Sequence, residues 1–117
     1  MLQPISVSEL TTRIAVALSG PEFQSVAVEG EISNFVHHRS GHMYFSLRDE
    51  RSRIKAVMFR GRNQRLGFVP KNGDTLVAVG SIGVYEPNGE DQLYVDLLLP
   101  KGIGDLHLAF EQLKDKL

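Results

Sequence analysis

The chain has 117 residues, 42% hydrophobic and 23% charged, with a formal net charge of −1. That suffices for one domain with one modest core, and it is too apolar for a disordered segment. The absence of cysteine excludes a disulfide framework and a thiolate metal site and fits a reducing compartment. No apolar run approaches the roughly 18 residues a membrane span needs, and MLQPISVSEL lacks the basic-then-apolar order of a signal peptide. A cytoplasmic protein without membrane contact is expected.

Ser6-Val7-Ser8-Glu9 fits a capping box, with Ser6 as N-cap and Glu9 at the third helical position. Leu10, Ile14, Ala17 and Leu18 recur at helical spacing until Gly20-Pro21 stops the run. One amphipathic helix over about 7–19 is expected to cover one end of the core. From Phe23 the period changes to two. Val26, Val28 and Ile32 share one parity, while Glu29, Glu31, Ser33, Phe35 and His37 share the other. Gly30 inside this long strand marks a bulge or sharp bend, and Arg39-Ser40-Gly41 reads as a turn.

The second strand is His42–Arg48, with Met43, Phe45 and Leu47 facing one way and His42, Tyr44, Ser46 and Arg48 the other. Asp49–Ser52 is a polar turn. A third strand, Arg53–Arg60, sets Ile54, Ala56 and Met58 against Arg53, Lys55, Val57 and Phe59. Both faces are partly apolar there, so parity decides less. Residues 61–72 form a short helix or irregular crossing, since Pro70 breaks anything longer. Thr75–Tyr85 is the fourth strand, Glu86-Pro87-Asn88-Gly89 a strong turn, and Gln92–Leu99 the fifth, with Leu93, Val95, Leu97 and Leu99 on one face. Leu106, Phe110, Leu113 and Leu117 then form one apolar stripe of a helix without a stop signal, as if cut from a longer protein.

A helix, five strands with a crossing element between the third and fourth, and a second helix make the order of a mainly β fold. It is the order of a five-stranded OB-fold Greek-key barrel with flanking helices. The expected divisions are a capping helix over 1–20, the barrel over 21–103, and the start of a C-terminal helix over 104–117.

The charge is segregated. Residues 37–65 carry eight basic side chains (Arg39, Arg48, Arg51, Arg53, Lys55, Arg60, Arg62 and Arg65) against Asp49 and Glu50, and the remainder carries five basic and twelve acidic ones. The same segment holds the aromatics Tyr44 and Phe59 and follows directly on Phe35. Bases stack on flat rings and phosphates seek cations, so such a surface suits single-stranded nucleic acid. Parity sets Tyr44 and Phe35 outward as stacking platforms, with Tyr85 at the mouth of the strand 4–5 loop as a third. Lys55, Arg60, Arg62, Arg65 and Arg39 are the phosphate candidates.

His37, His38 and His42 would assist from the strand 1–2 turn, more strongly as imidazole charges near pH 6.5. Three histidines without cysteine or carboxylate help do not make a zinc site, and adjacent strand positions point to opposite sides. No metal or cofactor is expected. No catalytic constellation is present either: there is no Gly-x-Ser-x-Gly, no P-loop, and only a lone Gly102-Ile103-Gly104 before a helix.

The stretches VEGEISNF (28–35), SGHMYFSLRDE (40–50), IKAVMFRG (54–61), YEPNGE (85–90) and LAFEQLKDKL (108–117) resemble the N-terminal region of the bacterial exodeoxyribonuclease VII large-subunit family, in order and over nearly the whole chain. The resemblance implies an OB-fold domain that binds single-stranded DNA. It also implies a parent hydrolase that, with copies of a small subunit bound elsewhere on the large subunit, cuts single-stranded DNA from both ends into short oligonucleotides. The family's nuclease centre lies beyond this region, so these residues are expected to bind without cutting. The strand 2–3 portion is also similar to the anticodon-binding OB domain of aspartyl- and lysyl-type tRNA synthetases, where the aromatic before the Leu-Arg-Asp turn stacks on a base, the place Tyr44 holds here.

The family's strand 4–5 loop commonly has a basic residue before the glycine and an aromatic soon after. This chain has Asn88 and Asp91, with Glu86 and Glu90 beside them, which shifts weight to the strand 1–2 turn and the arginines of 60–65. Two alternatives stay open: an OB module for protein docking or assembly, and an anticodon-type RNA binder. The uncovered 106–117 stripe further suggests a homodimer or domain swap.

Overall fold

The computed structural model describes residues 2–85 and 89–100. The expected turn at Glu86–Asn88 and the tail helix from 104 onward, with its apolar stripe, lie outside the described residues. The first element is helix α1, Val7–Leu18. The Ser6 side chain accepts a hydrogen bond from the Glu9 backbone N–H at 3.0 Å, so one arm of the capping box forms. The Glu9 carboxylate turns instead to Arg13 one helical turn on, at 3.1 Å. Strand structure does not begin at Phe23, because Pro21–Gln24 forms a second helical turn, α2, with Gly20 as its N-cap. Pro at a first helical position costs no hydrogen bond and presets the backbone angle.

Five strands follow: β1 Val26–His37, β2 Met43–Arg48, β3 Arg53–Met58, β4 Thr75–Tyr85 and β5 Glu90–Pro100, with a short helix α3, Arg60–Asn63, after β3. They close into a barrel in the order β1-β2-β3-β5-β4. β3 and β5 run parallel, and the other pairings among the described strands are antiparallel. This is the Greek-key order of an OB-fold. β1 divides its length between its two neighbours: Val26–Glu31 pair with β4 and Glu31–His37 with β2. Gly30 lies one residue before that change of partner, where its backbone runs close against Arg48.

The core is Ile32, Met43, Phe45, Leu47, Ala56, Met58, Leu76, Ala78, Leu93, Val95 and Leu98. It contains the β2 parity set expected from sequence and no residue of α1. That helix lies along β4 rather than plugging the barrel, and none of its residues is buried.

Two bulges overturn parity readings. In β1 the register shifts between Ser33 and Val36, with Asn34 at φ 53°. The shift is held by the loop before β4, where the Asn72 side chain accepts from the Phe35 N–H at 2.9 Å and the Gly73 N–H donates to the Ile32 carbonyl at 2.9 Å. One extra residue reverses every side chain beyond it. Phe35 therefore turns inward and packs on the core, its ring centroid 6.1 Å from that of Phe45. The expectation of an outward Phe35 is corrected. In β5 the shift falls opposite Val79/Gly80 and leaves Asp96 as the extra residue. Leu98 is buried as a result, while Leu97 and Leu99 are only partly so.

Candidate nucleic-acid interface

Strand pairing builds one outer face from β2, β3 and β5. Tyr44 is registered with Val57 and Val57 with Tyr94, so these three form one row across three strands. The next row is Ser46, Lys55 and Gln92. In the first row the short side chain stands between two tyrosines. Val57 is only 1% exposed although it lies outside the barrel interior, whereas Tyr44 is 40% exposed and Phe59, two residues on from Val57, is 45% exposed. The ambiguous parity of β3 is thus settled: Val57 floors the outer face and Phe59 rises from it.

The rings run in series. His38 stands edge-on to Tyr44 at 6.3 Å, His42 edge-on to Tyr44 at 6.5 Å and to Phe59 at 5.2 Å, and Phe59 is tilted against Tyr94 at 6.1 Å. These are favourable aromatic geometries, and they join four parts of the chain into one π-rich surface. Tyr85, 49% exposed, lines the same cleft of about 320 Å³ with Tyr44, Val57, Phe59, Gln92 and Tyr94.

The β1–β2 turn is tied to α3. The His42 Nδ1 accepts the Arg60 backbone N–H at 3.0 Å, and Asn63 donates to the Gly41 carbonyl at 2.8 Å. Gly41 has φ 95°, and any Cβ there would press on the Arg60 side chain. The His38 Nδ1 accepts the Ser40 N–H at 3.0 Å. An accepting Nδ1 needs its lone pair, so this network assigns the proton of each neutral ring to Nε2. Both histidines thus organise the turn as acceptors. His37, exposed at the end of β1, has no side-chain hydrogen bond among the described residues.

The cations divide into two groups. Lys55 Nζ pairs with Glu90 at 2.8 Å, Arg62 with Asp96 at 3.4 Å and Arg48 with Glu31 at 3.4 Å. Arg39, Arg60 and Arg65 form no ion pair among the described residues. Among the described residues, the carboxyl held clearly away from its ordinary value is Asp49 at the β2–β3 turn. Backbone N–H groups of Arg51 and then Ser52 donate to Asp49 Oδ1, both at 2.8 Å, and hold its carboxyl below the usual aspartate value. Among the described residues no three His, Cys, Asp or Glu side chains gather in a way that could hold a metal ion, and no helix is long and apolar enough to cross a membrane.

The structure therefore brings Tyr44, His38, His42, Arg60 and Tyr85 around one surface, with Lys55 in the next row. Phe35 is removed from it, and Tyr94, Phe59 and Gln92 are added. Tyr94 was findable, since it shares its parity with Gln92 and opposes Leu93 and Val95. What sequence did not show is that β5 lies beside β3.

Residues 5–98 match the model of the OB-fold nucleic acid binding domain family, and the chain belongs to that family. Among curated relatives it is similar to the exodeoxyribonuclease 7 large subunits of Halothermothrix orenii, at 54% identity over 96% of this chain and 28% of that protein, and of Brevibacillus brevis, at 52% identity over 97% of this chain and 25% of that protein. It thus spans about a quarter of the length of these relatives.

Among solved structures it shares its fold with a chain of a replication protein A heterotrimer bound to single-stranded DNA. That match has a TM-score of 0.54 and 12% identity, over 78% of this chain and 67% of that one. It also shares its fold with the asparaginyl-tRNA synthetase of Pyrococcus horikoshii, at a TM-score of 0.53 and 15% identity, over 68% of this chain and 20% of that one.

Proposed function

We propose that this domain binds single-stranded DNA on the β2–β3–β5 face and presents it to the nuclease part of an exodeoxyribonuclease VII large subunit in the cytoplasm. The parent would hydrolyse the strand and engage its small subunit through regions outside this chain, while the domain itself binds without cutting. The observation that carries the reading is the continuous ring series His38–Tyr44–His42–Phe59–Tyr94, bordered at the β1–β2 turn by Arg39 and Arg60, which form no ion pair among the described residues, with Arg65 farther along beside Arg62 and Asp96. Exposed rings accept any base, and the arginines take phosphate. His37, Lys55 and Arg62 would add contacts at the edges, the last two after exchanging a carboxylate for a phosphate. A duplex hides its base faces and cannot use the rings.

Fluorescence anisotropy with oligo-dT and with a duplex of equal length, each titrated over salt, tests this. Oligo-dT is expected to bind more tightly, with log affinity falling by about 0.7 per neutralised phosphate for each unit of log salt. Tyr44→Ala is expected to cost about 1–3 kcal/mol. A salt-independent affinity, or equal binding of duplex, would remove single-stranded DNA as the ligand. Stronger binding to a folded tRNA would move the reading to the anticodon type.

A further inference from the structure

We propose that the cleft between Tyr44 and Tyr94 is a slot for one unpaired nucleobase, and that Gln92 reads that base's edge. The inference rests on the single-stranded DNA reading but goes beyond it, since ring stacking alone is tolerant of sequence.

The geometry comes from the row Tyr44–Val57–Tyr94. Neighbouring strands lie about 4.8 Å apart, so the two tyrosine backbones stand roughly 10 Å apart across β3. Between them Val57 supplies a low apolar floor. The far wall is set by a missing side chain. A Cβ on Gly83 would come within 2.8 Å of Tyr94 Cε2, so the ring lies over the β4 backbone in space that only glycine leaves open. The resulting cleft of about 320 Å³ is roomy enough for a purine or a pyrimidine ring.

Gln92 lines this cleft and is only partly exposed. Its side-chain amide makes no hydrogen bond to any described residue, and neither do the phenol groups of Tyr44, Tyr85 and Tyr94. An amide that both donates and accepts matches the edge of a base rather than a phosphate, which only accepts. Lys55 stands beside Gln92 in the same row but is held by Glu90 at 2.8 Å, and Arg39 and Arg60 stand at the β1–β2 turn. The slot therefore recognises bases, while Arg39, Arg60 and Arg65 recognise the backbone.

The test measures affinities of the 117-residue chain for oligo-dT, oligo-dC and oligo-dA at one salt concentration, for the parent and for Gln92→Leu and Tyr94→Leu. The parent is expected to prefer one homopolymer by about fivefold or more, the low end for a good base-edge contact. Gln92→Leu, at a part-exposed position where folding is not at stake, should bring the three affinities within about twofold of one another while leaving the salt slope unchanged. Tyr94→Leu, checked for an unchanged melting temperature, should weaken all three by about fivefold or more. A parent without base preference, a preference that survives Gln92→Leu, or full affinity in folded Tyr94→Leu overturns the slot. If Tyr44→Ala still weakens binding by about 1–3 kcal/mol in that case, the interface stands and the slot alone fails. Absence of oligonucleotide binding by the parent overturns both.

Discussion

The two sides of the proposed binding face carry the same residue types in opposite electrostatic states. Toward the β1–β2 turn, Arg39 and Arg60 have no carboxylate partner among the described residues. Toward β5, Lys55 and Arg62 are already held by Glu90 and Asp96. A count of side chains over 37–65 treats these four cations alike. The field that a phosphate meets depends on which carboxylates the fold has brought beside them. The turn side is then a ready anion surface, and the β5 side is one where phosphate must displace a carboxylate first.

The largest expected effect separates the sides by stability. Gly80 sits at the β4–β5 bulge, where a Cβ would stand 2.0 Å from the Tyr94 carbonyl oxygen. That contact is with backbone and has no rotamer to escape into. Gly80→Ala is expected to lower stability by about 3 kcal/mol or more, read by urea denaturation, and to cost the β5 side its Tyr94 wall. An unchanged midpoint would mean that the bulge can relax.

Next comes charge. Replacing Arg39 and Arg60 together by Gln is expected to lower the magnitude of the salt slope by about 1.4. Lys55→Gln with Arg62→Gln should lower it by less per charge removed, because those two are partly neutralised already. Equal loss per charge would erase the distinction between the sides.

Glu90→Gln approaches the same point from the acid. Freeing Lys55 should tighten oligo-dT binding by no more than about 1 kcal/mol, the ceiling for an exposed ion pair. Weaker binding would show that Glu90 supports the site rather than competing in it.

The smallest effect belongs to the β2–β3 turn, away from both sides. Asp49 is held below its ordinary value, so the ionised form is favoured by folding. Its contribution is present above the ordinary carboxylate range and is lost as pH falls through the lowered folded value. Melting temperature measured from neutral to acid pH should fall slightly less steeply for Asp49→Ala than for the parent. Parallel curves would detach the turn's hydrogen bonds from stability.

Much of the fold was legible locally. The Ser6 cap, the Gly20-Pro21 stop, the span of β4 and the inward set Met43, Phe45 and Leu47 all follow from period and turn chemistry. The site was legible in part. Tyr44 was placed correctly by simple alternation, because β2 has no irregularity. Phe35 was misplaced by the same rule, because two hydrogen bonds from the loop around Asn72 and Gly73 stabilise a bulge that alternation cannot register. Tyr94 was overlooked because its partners in the row lie on strands distant in sequence.

The amino-acid sequence by itself determined the order of elements, the one-sided apolar pattern that forces them into a barrel, and the supply of rings and cations in one segment. These are properties of short windows, set by dihedral preference and hydrophobic period. Tertiary structure decided where β1 and β5 gain an extra residue, which cations are neutralised, and that Tyr44, Val57 and Tyr94 stand in one row. Each of these depends on what lies across a strand boundary. The parallel pairing of β3 with β5 joins residues some 37 positions apart, so the cleft between Tyr44 and Tyr94 exists only once the barrel has closed.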